Sequence, residues 1–194
     1  MTRSISFKAV YFVAAAIAAI ALAGVRPAHA ASAADFVKLE HQSAAALKSL
    51  YAHSPGAKAL GDKAKGILVF PDVTRVGLIL GGQGGDGTLF EHGKANGFYS
   101  TGALSIGLQA GAQSYGYALF LMTDEDVNYL KTTSGNGSGW ALGVGPTIVV
   151  VDAGAAKDAS TFTGKSGVYA FIFGQKGLMA GVGITGSKIT KIVQ

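Results

Sequence analysis

The chain has 194 residues, and its 16 Lys and Arg against 11 Asp and Glu give a formal charge of +5. It is 49% hydrophobic and only 14% charged, which excludes a disordered chain of high net charge. The lack of any cysteine excludes disulfides, thiolate metal sites and cysteine nucleophiles.

Met1 to Ala30 has the three parts of a secretion signal. Arg3 and Lys8 start it, Ala9 to Val25 is uncharged and apolar, and Ala28-His29-Ala30 supplies a small-x-small cleavage pattern behind Pro27. The apolar run is at the short end for crossing a bilayer. The mature protein is therefore expected to begin near Ala31 and to be periplasmic or secreted. Thirteen basic and eleven acidic side chains then remain, a surplus too small for nucleic-acid binding through many phosphate contacts. The remaining residues suffice for one domain, 31–194, that buries about two-thirds of its unfolded surface.

Helices are expected first. Phe36, Leu39, Ser43, Leu47 and Leu50 recur at helical spacing between Ala33 and Tyr51, with Asp35 near the start and Lys48 near the end. Ser54-Pro55 supplies an N-cap and a first-turn proline for a short helix through Lys65, stopped by Gly66. Ile67 to Phe70 suits a strand closed by Pro71. Further strands are expected in 76–80, 88–91, 98–122, 140–151, 168–173 and 178–184. Thr123-Asp124-Glu125-Asp126 reads as a capped helix start carrying Val127 and Leu130 on its apolar side. Residues 132–139 and 152–167 read as polar connections.

Glycines, 29 in all, fall on strand faces as well as in turns. Ser105, Gly107, Gln109, Gly111 and Gln113 share one side of an alternation; Gly143 with Gly145, and Gly181 with Gly183, do the same. A strand glycine costs about 0.5–1 kcal/mol against alanine, so close approach or bending must compensate. The expected fold is α+β, a glycine-rich antiparallel β-sheet or barrel covered by the N-terminal helices.

Motifs of chemical type fail on context. Gly82-Gln83-Gly84-Gly85-Asp86-Gly87 spells a dinucleotide fingerprint, but Thr88-Leu89-Phe90 follows as strand where a helix is needed, so a glycine-rich hairpin is the better reading. Ser105 and Ser114 sit in degenerate nucleophile elbows inside an extended alternation, and no histidine follows His92. His41, His53 and His92 form no metal motif, and helix capping accounts for Asp124-Glu125-Asp126. Asn136-Gly137-Ser138 is a formal glycosylation sequon. No catalytic residue, metal or cofactor is expected, and the protein is read as no enzyme.

What remains is cationic and amphipathic. Lys38, Lys48, Lys58, Lys63 and Lys65 fall in the helical region and Arg75 just beyond, against Asp35, Glu40, Asp62 and Asp72. Such helices lie on anionic membranes, although a sheet-covering helix with solvated lysines is the plainer account of the residues alone.

The stretch Ala64-Lys65-Gly66-Ile67-Leu68-Val69-Phe70-Pro71-Asp72-Val73 resembles the SYLF lipid-binding domain family. The glycine run 81–87, the block 107–113, Gln175-Lys176-Gly177-Leu178-Met179-Ala180-Gly181 and Gly186-Ser187-Lys188-Ile189-Thr190 continue the likeness, in family order, over about 35–193. The resemblance implies a phospholipid-binding domain, here standing alone behind a secretion signal as in the bacterial branch. Phosphoinositide binding in eukaryotic members and actin binding in some fungal ones are not carried over. Phe98-Tyr99-Ser100-Thr101-Gly102 also departs from the tryptophan and proline usual in eukaryotic members. The expected partner is an anionic phospholipid or membrane surface, met by Lys38, Lys48, Lys58, Lys63, Lys65 and Arg75. The alternative is an envelope module that binds a protein partner.

Overall fold

The structure is a computed structural model that describes residues 32–77, 80–106, 111–135, 138–142, 144–152, 167–177 and 186–192. The signal-like segment and the strand expected at 178–184 lie outside the described residues, as do Gly107, Gly143, Gly181 and Gly183.

Helix α1 spans Ala33–His53 and buries Phe36, Ser43 and Leu50, each two turns after the last. Ser54 caps α2 (Pro55–Gly61), accepting a hydrogen bond on Oγ from the Ala57 amide, with Pro55 in the first turn. That helix ends at Gly61, short of the expected Lys65. The Lys65 amide instead donates to the Leu121 carbonyl and leads the chain into the sheet.

Strand β1 (Gly66–Gly77) runs past Pro71, where a stop was expected. Its register slips against both neighbours around Pro71, and this bulge accommodates a residue that has no amide to donate. Strand β2 (Leu80–Glu91) contains the whole glycine run expected as a hairpin, in unbroken register with β3 (Lys94–Ile106) from Leu80 opposite Ile106 to Thr88 opposite Phe98. The physical reason lies in β1: a Cβ at Gly85 would stand 2.5 Å from the Asp72 carbonyl oxygen, and one at Gly87 2.5 Å from that of Val69. These glycines let β2 coil closely over the bulge. The true hairpin is His92-Gly93, with φ of 50° and 75° between paired Glu91 and Lys94, a two-residue turn of the type that matches strand twist.

Strand β4 (Gly111–Leu121), helix α3 (Asp124–Gly135), β5 (Trp140–Ala141), β6 (Ile148–Asp152), β7 (Val168–Gly177) and β8 (Lys188–Ile192) follow among the described residues. Helix α3 extends through part of the expected loop 132–139, and β8 forms where no strand is expected. The α3 start is a capping box: Thr123 Oγ1 accepts from the Asp126 amide at 3.1 Å, and Asp126 Oδ2 accepts from the Thr123 amide at 3.1 Å. The eight described strands form one curled sheet, a half-barrel, in the order β5-β8-β3-β2-β1-β4-β7-β6. It is mixed, not purely antiparallel, because β6 runs parallel to β7.

Where β1, β4 and the first half of β7 lie side by side, both faces of the sheet are buried. Val69, Ala118, Phe120 and Phe171 pack under Leu50 of α1 and Ala57 and Leu60 of α2, as the expected helical cover requires. On the other face Phe70, Tyr115, Tyr117, Leu119, Trp140 and Ile189 pack with Val127 and Leu130 of α3. Strand alternation sorts successive residues of β1 and β4 between these two cores.

Candidate functional site

Where α1, the α2–β1 connection and the β2–β3 hairpin meet, they enclose a groove of about 590 Å³. Ala44, Leu47, Lys48 and Tyr51 line it from one face of α1, because residues three and four apart share a helix face. Ile67 and Phe90 contribute an apolar base from β1 and β2, and His92 and Gly93 close one end from the turn. Lys63 and Lys65, either side of Ala64, complete the lining with Asp62. Lys48, Lys63 and Lys65 are exposed, so three ammonium groups border an apolar floor. Tyr51 packs on Phe120 at 6.4 Å between ring centres. Burial, and secondarily the Asp62 carboxylate, pushes its phenol up to about 12, so it stays a neutral hydroxyl.

The cations expected to act together are divided by the fold. Lys58 is exposed on α2 and donates to both carboxylate oxygens of Asp62, at 2.5 and 2.7 Å, with its ammonium 5.7 Å from the Tyr51 ring centre. It reaches the groove through Asp62 and Tyr51, which line it. Lys38 is exposed on α1 and outside the groove, ten residues before Lys48 or about 15 Å along the helix. Arg75 is on the other face of the sheet. It follows Val73 by two residues on β1, in register with Gln113 and Gln83, and about 30 Å of strand separates it from Lys65. The bulge at Pro71 sets this side, and local strand periodicity does not reveal it.

Around Arg75 the inner face carries a second polar cluster. Tyr115 donates to Gln83 Oε1 at 3.0 Å, and Gln83 Nε2 donates to Ser187 Oγ at 2.7 Å. Beside them the buried Tyr117 hydroxyl donates to Thr101 Oγ1 at 2.8 Å. Burial raises the Tyr115 phenol, with the Arg75 charge opposing, and raises Tyr117 further. These groups satisfy one another and rigidify the inner core.

Sequence reasoning missed the groove's floor and turn, although the spacing of Ala44, Leu47, Lys48 and Tyr51 carried part of the signal. His41, His53 and His92 are all exposed, and Ser114 is half-buried in mid-strand β4. Ser105 is in β3, and its side chain lies outside the described residues.

Residues 102–192 match the family model Ysc84, described as "Las17-binding protein actin regulator". The match runs from the second half of β3 through β8, so every groove residue lies before it. No curated protein matches the chain.

Proposed function

We propose, for a chain whose residues 102–192 match the Ysc84 family model, that it is a non-enzymatic lipid-binding domain that docks on anionic phospholipid headgroups. The observation carrying this reading is the convergence of Lys48, Lys63 and Lys65 on one apolar-floored groove. A phospholipid offers a phosphate for the ammonium groups and hydrocarbon for Leu47, Ile67 and Phe90. Each lysine near an anionic surface contributes about 1 kcal/mol, so three bring useful affinity without a deep pocket. Lys58, held by Asp62, contributes less than the sequence alone suggests. Arg75 belongs to the inner-face cluster and not to this surface. The domain works outside the cytoplasm after cleavage near Ala30, and amino-terminal sequencing of the cell-derived protein tests that part.

The test of docking is co-sedimentation of the purified chain with neutral and anionic vesicles at low and physiological salt. Binding to anionic vesicles alone, weakened by salt, is expected, because screening shortens the reach of exposed charges. Equal binding to neutral vesicles, or salt-independent binding, would sink the headgroup reading. A second reading, a module of the cell envelope that binds a protein partner, draws on the family description, which names a protein-binding regulator. It predicts no vesicle binding and a salt-insensitive partner complex.

A further inference from the structure

The two edges of the sheet differ in kind. One ends in β5, two residues long and so blunted by its shortness. The other ends in β6, whose Ile148-Val149-Val150-Val151 run has no charge, no proline and no bulge until Asp152. These four consecutive β-branched residues carry none of the charge, proline or bulge that blunts an edge strand. Val149 and Val150 are 44% and 49% exposed, and among the described residues nothing pairs with the outer side of β6.

The register against β7 identifies the backbone groups that face outward. The Val168 amide donates to the Thr147 carbonyl at 2.8 Å, and Ile148 is opposite Val168. In a parallel ladder both backbone groups of one residue point the same way, and successive residues alternate. Thr147, Val149 and Val151 therefore bond inward to β7. Ile148, Val150 and Asp152 present their N–H and C=O groups outward.

We propose that this edge joins a second copy of the chain, β6 pairing antiparallel with β6 about a two-fold axis at Val150. In that register Val150 faces Val150 of the second copy and Ile148 faces its Asp152. All three outward-facing residues then form hydrogen-bonded pairs, for about six bonds across the axis. Val149 meets Val151 on one face, a β-branched pair of the kind that stabilises sheets. The charge pattern selects this arrangement, because the two Asp152 residues fall at opposite ends of the seam, each opposite an isoleucine. Residues directly opposite in an antiparallel pair share a face, so both α1–α2 layers lie on the same side of the joined sheet. If the headgroup reading holds, the dimer presents two lysine-bordered grooves to one surface and binds by avidity; dimerisation itself does not depend on that reading.

The test is sedimentation velocity of the purified chain over a wide concentration range. The wild type is expected to rise from the mass of one chain toward twice that value. V150K and V150E place like charges opposite each other at the axis, and each is expected to raise the dimer dissociation constant at least about tenfold. Mixing the two variants is expected to restore dimers, because Lys then faces Glu. Recovery in the mixture also shows that neither variant is merely misfolded. A wild type that stays monomeric at every concentration overturns the proposal. So does a wild-type dimer that V150K and V150E leave intact, or a mixture that fails to recover.

Discussion

Replacing Lys48, Lys63 and Lys65 together by glutamine removes the positive border of the groove while keeping long, polar side chains. All three are exposed, so thermal stability should stay within about 0.5 kcal/mol of wild type. At about 1 kcal/mol for each lysine near an anionic surface, the triple change removes about 3 kcal/mol of attraction, a loss on the order of a hundredfold in vesicle affinity. The loss should be largest at low salt, where the Debye length is about 30 Å, and should shrink at about 0.15 M, where it is about 8 Å. Arg75→Gln is the internal comparison, since it removes one charge from the opposite face of the sheet, about 30 Å of strand from Lys65. It should change affinity by less than about twofold. Titration with vesicles of increasing anionic content reads both variants. If the triple variant binds like wild type, or Arg75→Gln weakens binding as much as one lysine does, the groove is not the docking surface.

Two glycines of β2 should respond in opposite directions. Gly87→Ala forces a methyl group onto the Val69 carbonyl and the Phe70 ring and should cost about 1–3 kcal/mol in urea unfolding. Gly84→Ala meets nothing closer than the Thr101 carbonyl at 3.6 Å and should be neutral or stabilising by up to about 1 kcal/mol. Tyr117→Phe strands Thr101 Oγ1 in the inner core and should cost about 1–2 kcal/mol, partly recovered when Thr101→Val is added. Alkaline pH should also destabilise the fold. Tyr51 and Tyr99 are pushed from 10 up to about 12, mainly by burial, so the folded state holds their protons more tightly than the unfolded state does. Their contribution is complete below pH 10 and declines as pH rises through about 12, so the melting temperature should fall across that window and fall less steeply in Tyr99→Phe.

Features governed by neighbours in sequence were legible. Ser54-Pro55 and Thr123 with Asp126 cap their helices through hydrogen bonds spanning three residues, and those bonds are local chemistry. The apolar positions of α1 likewise name its buried side directly, whereas β4 is buried on both faces from Tyr115 to Leu121 and buries Gln113 while exposing Ala112, so its alternation does not name a buried side. The glycine run 82–87 misled because Gly85 and Gly87 answer to β1 residues more than ten positions away, which turn signals do not report. The boundary at Pro71 misled because a bulge against two partner strands takes up the missing amide. Strand β8 is short and reads Lys-Ile-Thr-Lys-Ile, without a clean two-residue alternation, so its place beside β3 and β5 depends on partners that a five-residue window does not contain.

The candidate site divides the same way. The cationic character of 38–75 is a property of the residues and was readable as such. Which cations share a surface was not: α1, the α2–β1 connection and the β2–β3 hairpin must first pack before Lys48, Lys63 and Lys65 border one groove. By itself the sequence determined periodicity, caps and charge, because these act over one or two turns or a few strand residues. The tertiary structure alone decided that Arg75 turns to the inner core and that β6 lies parallel to β7 as the last of the described strands, because strand order and bulges are set by contacts between distant segments.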